Sequence, residues 1–195
     1  MPLGFNSRPP AEDRVPYLRY FATGARGGTF ADRDDDDIAV IALFDFENIR
    51  TGWLLFETGM PPDLHWDATP GEPGPKPGQG HRRGLCVRIF FPDGRGVREL
   101  TTSTAGLCAA IDKIYSEFGF APQRAQGLVP LVECTNVTPS ETSFGTIFDP
   151  EFTIVDWQPR PRLLMPPTKA RRATQSAKSP GLPARRDELD DAVPF

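Results

Sequence analysis

Arg88 and Phe90 stand two residues apart in the run from Leu85 to Phe91, where Leu85, Val87, Ile89 and Phe91 alternate with Cys86, Arg88 and Phe90. Alternate side chains of an extended chain share a face, so the spacing predicts a ring beside a guanidinium, opposite an apolar face turned to a core. Such a pair can stack planar bases on the ring while the cation follows a phosphate backbone. The same residue types recur at Trp53, which opens an extended stretch, and at Trp66, on a long loop that leads to Arg82 and Arg83. Tyr17, Arg19 and Tyr20 interleave rings and charge near the start of the chain. Arg26 sits in a Gly-rich run, Thr-Gly-Ala-Arg-Gly-Gly-Thr at 23–29. That run lacks the Gly-Lys-Ser/Thr ending of a phosphate-binding loop and precedes no periodic helix, so it is expected to be a turn whose arginine touches backbone phosphate. The rings expected in the core are Phe44, Phe46, Phe91, Phe118, Phe152 and Trp157.

Other chemistries find little support. Cys86, Cys108 and Cys134 are an odd number at wide spacing without a Cys-x-x-Cys pair, and only His65 and His81 could assist them. Free buried thiols are expected, with no disulfide, metal or cofactor. Asp34 to Asp37 are four consecutive carboxylates. Neighbouring residues of a strand point to opposite sides and no EF-hand spacing surrounds them, so a solvated loop is expected. Neither histidine has a triad partner at a telling spacing, and the chain is not expected to be an enzyme.

Charge divides the chain. Residues 159–186 carry eight basic residues and no acid, and Asp187, Glu188, Asp190 and Asp191 follow before Val193, Pro194 and Phe195. Residues 1–158 hold 14 basic against 22 acidic residues. Such a body argues against a uniform phosphate-binding surface, because Lys and Arg normally supply most non-specific affinity for nucleic acid. The acids of 187–195 keep that segment solvated and extended, Pro194 fixes its own φ, and Phe195 offers one apolar anchor with a carboxylate that a partner's Arg or Lys could pair.

The elements that must position these residues follow from periodicity. Residues 1–15, polar and proline-rich, are expected to form a flexible arm before an extended piece at 16–31. Ile38 to Phe46 predicts a strand, Asn48 to Gly52 a turn, and Trp53 to Glu57 a second strand closing a hairpin. Residues 59–84, with six prolines and several glycines, predict a long loop. Leu85 to Phe91 is the third strand, with Val97 to Thr102 as a short extension after the Pro92-Asp93-Gly94 turn. Leu107, Ala110, Ile111, Ile114 and Phe118 fall on one helical face, started by Ser103 or Thr104 and ended by a left-handed Gly119. Leu128 to Val137 and Phe152 to Trp157 complete the strands, separated by a Thr/Ser/Pro-rich loop. A mainly β domain over 16–158 is therefore expected, with five strands and one α-helix between the third and fourth, the order of an OB-fold barrel. A basic, proline-rich, disordered linker over 159–186 and an acidic tip over 187–195 follow it. No apolar stretch approaches a membrane span, so a soluble, cytoplasmic protein is expected.

The tip resembles that of bacterial and phage single-stranded DNA-binding proteins, in which an acidic run precedes an aliphatic residue, Pro and Phe. Asp190, Asp191, Val193, Pro194 and Phe195 match it, while Ala192 stands where that tip more often has another acid or isoleucine. The layout of barrel, linker and acidic tip resembles the same family. The resemblance implies a protein that coats single-stranded DNA during replication, recombination or repair in a bacterial cell or phage-infected host. It also implies recruitment of replication and recombination proteins through the tip, and it allows for a homo-oligomer. The alternative, favoured by the acidic body, is a replisome interaction adaptor whose β-barrel scaffold binds no nucleic acid.

Overall fold

The computed structural model describes residues 15–32, 36–143 and 145–165. The protein is mainly β. Its described strands are β1 (Tyr17–Tyr20), β2 (Phe30–Ala31), β3 (Asp37–Ile38), β4 (Ile41–Phe44), β5 (Arg50–Leu55), β6 (Asp63–Trp66), β7 (Arg82–Phe91), β8 (Gly96–Thr102), β9 (Leu128–Thr142) and β10 (Gly145–Pro159). Helices α1 (Ala105–Phe120) and α2 (Pro122–Ala125) lie between β8 and β9. The described count is thus ten strands rather than the five expected.

β7 organises the sheet. Leu85, Val87, Ile89 and Phe91 on one of its faces are all buried, as the alternation predicts. One edge pairs antiparallel with β8. The other edge is shared, with Leu43 and Phe44 of β4 opposite Phe90 and Ile89, and Arg50 to Leu54 of β5 opposite Cys86 to Arg82. β4 and β5 therefore lie end to end, joined by a 3-10 turn at Phe46–Asn48. This corrects the expected hairpin between 38–46 and 53–57. Phe46 and Ile49 are core residues, so the chain steps inward at the bend and continues instead of reversing. Asn48, read as a turn former, donates from Nδ2 to Asp45 at 2.9 Å.

Four further expectations change. Val97 to Thr102 is a full strand, and β6 rises inside the stretch read as loop, where Asp-Leu-His-Trp alternates for only four residues among prolines and glycines. β9 and β10 pair from Leu128 and Pro159 to Thr142 and Gly145, so most of the Thr/Ser/Pro-rich stretch continues the hairpin, with register shifts at Glu151/Phe152 and Ile154/Asp156. Helix α1 does not stop at Gly119 but runs to Phe120 and ends at Ala121, whose extended backbone suits the residue before Pro122. Thr104 is its N-cap, without a side-chain capping bond.

Helix α1 covers the core face. Leu107, Ile111, Ile114 and Phe118 are buried, each contributing about 1.5–3 kcal/mol by leaving water. The helix meets β10 closely, since a Cβ on Gly106 would lie 1.7 Å from Asp149 Oδ1. Phe44, Phe46, Phe91, Phe118 and Phe152 are buried as expected, and Trp157 packs on them with its ring 6.1 Å from that of Phe118.

A smaller cluster lies on the other face of β4 and β7. Leu43, Val129 and Leu164 are buried there, with Phe90, Val97 and Leu131 against them. Leu164 belongs to a 3-10 turn at Arg162–Leu164, and Arg160 pairs with the buried carboxylate of Asp45. The chain thus packs on the sheet past 158, through the first residues of the segment read as linker. No helix among the described residues is long and apolar enough to cross a membrane.

Candidate functional site

The outer faces of β5, β7 and β8 bring two of the expected residues, Arg88 and Trp66, together with Arg50, which was not among them. Arg50 lies opposite Cys86 and Arg88 opposite Glu99, so all four project to one side. Glu99 Oε2 sits 3.6 Å from Arg50 Nη2 and 3.9 Å from Arg88 Nε, one carboxylate serving two guanidinium groups. Gly52 faces Trp66 across the β5–β6 ladder, which puts Trp66 on the same side as Arg50. The Arg50 guanidinium lies 4.4 Å from the Trp66 ring centre, a cation–π contact. Beside Arg50 opens a groove of ≈ 570 Å³ that Cys86 and Arg88 also line, with Asp45, Glu47 and Asp67 among its walls.

Phe90 is not displayed there. It shares the outer face with Arg88 as expected, but Leu164 and Val97 shield it in the second apolar cluster. The expected pairing of Phe90 with Arg88 as an exposed stacking element is therefore corrected. An aromatic on the far face of a strand attracted a cover, which periodicity within the strand could not reveal.

Trp53 points to the opposite side of the β5–β6 ladder, opposite His65 and Arg83. Its Nε1 donates to Gly74 O at 2.8 Å, and the Arg83 guanidinium and Lys76 ammonium lie 5.3 and 5.6 Å from its ring. Arg83 in turn donates both terminal nitrogens to Asp67, at 2.9 and 2.6 Å. Asp67 also accepts from Thr51 Oγ1 at 2.6 Å and from Gly74 N at 3.1 Å. These donors, Arg83 foremost, hold the Asp67 carboxyl well below the usual carboxylate range against the opposing pull of burial. The expected loop is thus tied around one carboxylate that its sequence gave no reason to single out. Arg82, next to Arg83, is exposed.

The early aromatic and basic residues separate. Tyr17 and Arg19 are exposed on β1, with the guanidinium 5.5 Å from the Tyr17 ring and 5.6 Å from that of Phe21. Tyr20 turns inward, its ring 4.6 Å from that of Phe30 and its hydroxyl donating to Phe148 O at 2.6 Å. Burial pushes its phenol well above the usual range. It supports the core and is not available for stacking. Arg26 lies in the expected turn, pairs with Asp37, and stands 4.4 Å over Phe21, a ring that sequence reasoning passed over.

The three cysteines are free, with Cys86 buried and the other two half-buried. Burial raises all three thiols, Cys108 to about 11, so none is a thiolate nucleophile near neutral pH.

Nothing in their spacing joins the two histidines, yet they meet at Asp63. β5 binds β6 on one edge and β7 on the other, so β6 and the entry to β7 converge although 16 residues separate His65 from His81. Asp63 Oδ1 lies 3.0 Å from His65 Nε2, and Oδ2 lies 3.0 Å from His81 Nε2. Bonds from His81 foremost, then His65, lower the Asp63 carboxyl. The His81 ring is buried, and its Nδ1 has no partner among the described residues.

The tip residues Asp187, Glu188, Asp190, Asp191, Val193, Pro194 and Phe195, the arm at 1–14 and most of the linker lie outside the described residues. Compared with known proteins, the chain matches no family model, no curated protein and no solved structure.

Proposed function

We propose that the protein binds single-stranded DNA on the outer face of β5, β7 and β8, coating it in replication, recombination or repair. The observation that carries this reading is the Trp66–Arg50 pair, whose arginine lines the same groove as Arg88. A half-exposed indole gives a base a surface to stack on, worth about 1–3 kcal/mol per base, while the arginines follow the phosphates. Trp53 with Arg83 and Lys76 offers a second ring on the opposite side of the same arm, and Tyr17 with Arg19 a third near β8.

Connectivity supports the reading. Strands β10, β9, β4 with β5, β7 and β8 are neighbours in that order, and the long helix joins β8 to β9. Treating β4 and β5 as one bent strand gives the connectivity of a five-stranded OB-fold, a scaffold that binds oligonucleotides across one face. β1, laid parallel on β8, β2 and β3 beyond it, and β6 on the other edge of β5 are additions to that plan. In this reading the acidic segment at 187–195 recruits replication partners and competes with DNA for the basic residues of 159–186.

A second reading draws on a specific observation. Arg50 and Arg88 share Glu99, Arg83 is paired with Asp67, and Arg26 with Asp37, so phosphates would have to compete with acids already in place. A replisome adaptor that uses this β scaffold without binding nucleic acid would have that character.

Titration of a labelled oligo-dT with the purified protein at two salt concentrations separates the two. Binding that weakens steeply with salt is expected, and absence of binding at low salt sinks the first reading. Deleting residues 187–195 is expected to tighten binding. Unchanged affinity would remove tail competition from the mechanism.

A further inference from the structure

We infer that Asp63, His65 and His81 form a binding site for one divalent transition metal of the zinc class. It would staple β6 to the start of β7 and so close the base of the loop between them. This inference is independent of nucleic-acid binding. One ligand atom from each residue lies within 4.8 Å of the others, and the carboxylate stands 3.0 Å from both imidazole Nε2 atoms.

Ligand type and spacing fit that ion. Two imidazoles and a carboxylate are the borderline donors that zinc takes, and calcium or magnesium would favour an all-oxygen set. Zinc holds such atoms at about 2.0–2.2 Å, which separates neighbouring ligands of a tetrahedron by about 3.4 Å. The two carboxylate–imidazole separations of 3.0 Å are slightly shorter and the three ligand atoms span up to 4.8 Å, so an ion entering between the groups needs only small adjustments, chiefly of the exposed Asp63 and His65 side chains.

The elements preorganise the ligands. Asp63 and His65 alternate on β6 and therefore share a face, which the ladder to Leu55 and Trp53 of β5 fixes. His81 is only 7 % exposed, and packing holds its ring edge-on to that of His65, with 5.4 Å between centres. Its Nε2 faces the carboxylate. Asp63 and His65 are half-exposed, so an ion has a path in and a fourth position open to water.

The test uses the full-length, tag-free chain stripped with chelator and titrated with zinc chloride by calorimetry at neutral pH. One equivalent is expected to bind, with a rise in melting temperature that grows with zinc concentration. His65→Ala changes an exposed side chain and should leave the circular dichroism spectrum intact. Loss of a single outer partner of a zinc site costs 10–100-fold, so loss of this ligand should weaken zinc by about 100-fold or more and abolish the thermal shift. Asp63→Asn should act in the same direction. Cobalt(II) in place of zinc should give the intense visible bands of a four-coordinate ion with the natural chain and lose them with His65→Ala. A natural chain that binds no zinc, or a folded His65→Ala protein that binds it equally well, overturns the site.

Discussion

The two halves of β7 are held by different physics. From Val87 to Phe91 the strand pairs with β4 and buries Val87, Ile89 and Phe91 against α1 and a chain of phenylalanines running through Phe44, Phe46 and Phe152. From Arg82 to Cys86 it pairs with β5, and its surroundings are directional contacts: Arg83 on Asp67, Arg50 on Trp66, and His81 on Asp63. The first half should therefore respond to changes in side-chain volume and hardly to salt or pH. The second should respond to charge, protons and ligands, and it is there that the candidate binding residues collect. One continuous strand lets a rigid, dry half hold a polar half in place without the polar half having to stabilise the fold.

The largest effect should come from cutting volume out of the dry half. Phe44 is fully buried opposite Ile89, and Phe44→Ala should cost about 3–5 kcal/mol in urea unfolding, with little change in the loss between low and high salt. A loss that varied strongly with salt would erase the contrast between the halves.

Next comes the joint. Asp45 sits between β4 and the bend, fully buried, its backbone N–H donating to Arg88 O at 2.9 Å and its carboxylate paired with Arg160. Arg160→Ala would leave a buried charge with only Asn48 as a side-chain donor among the described residues, and about 3 kcal/mol of destabilisation is expected. Adding Asp45→Asn should recover part of that loss. A double variant no more stable than Arg160→Ala would show that the arginine acts by packing rather than by charge.

In the polar half, Asp67→Asn removes the charge and one of the two oxygens that Arg83 binds, and should cost about 2 kcal/mol at neutral pH. The sign of its pH dependence follows from the lowered carboxyl. The folded state binds the proton less readily than the unfolded chain, so the stability Asp67 supplies is fully present above the unfolded value of about 3.9 and fades as pH falls below it. Melting temperatures of the natural and Asp67→Asn proteins should lie well apart at pH 6 and converge toward pH 3. Parallel curves over that range would sink the assignment.

Legibility in the sequence followed the same division. Alternation at Leu85 to Phe91 and the helical spacing of Leu107, Ile111, Ile114 and Phe118 identified the dry half, because apolar burial writes its period directly into the chain. What escaped lies where pairing partners decide the outcome. The step at Phe46 and Ile49 reads locally like a hairpin turn, and the alternation of β6 lasts only four residues in a proline-rich stretch. Asp63, His65 and His81 become neighbours only because β5 has two edges. Phe90 and Tyr20 were misplaced for a related reason. Whether a ring on a strand is covered depends on distant residues, here Leu164 for the first and Phe30 for the second.

The smallest expected effect is the one that bears most on function. Trp66 is half-buried at the edge of the sheet, and its principal contact is the Arg50 guanidinium, so Trp66→Ala should change stability by no more than about 1 kcal/mol. If bases stack on its ring, the same change should weaken oligo-dT binding by about 1 kcal/mol, roughly fivefold. That figure is the low end for a stacked base because Arg50 already occupies part of the ring surface. Phe90→Leu is the matched control on β7: it keeps the cluster with Leu164 filled and removes a half-buried ring packed on that cluster, so binding should move less than with Trp66→Ala. Loss of affinity in the Phe90 variant with none in the Trp66 variant would transfer the binding role from the polar half of β7 to the face beneath Leu164.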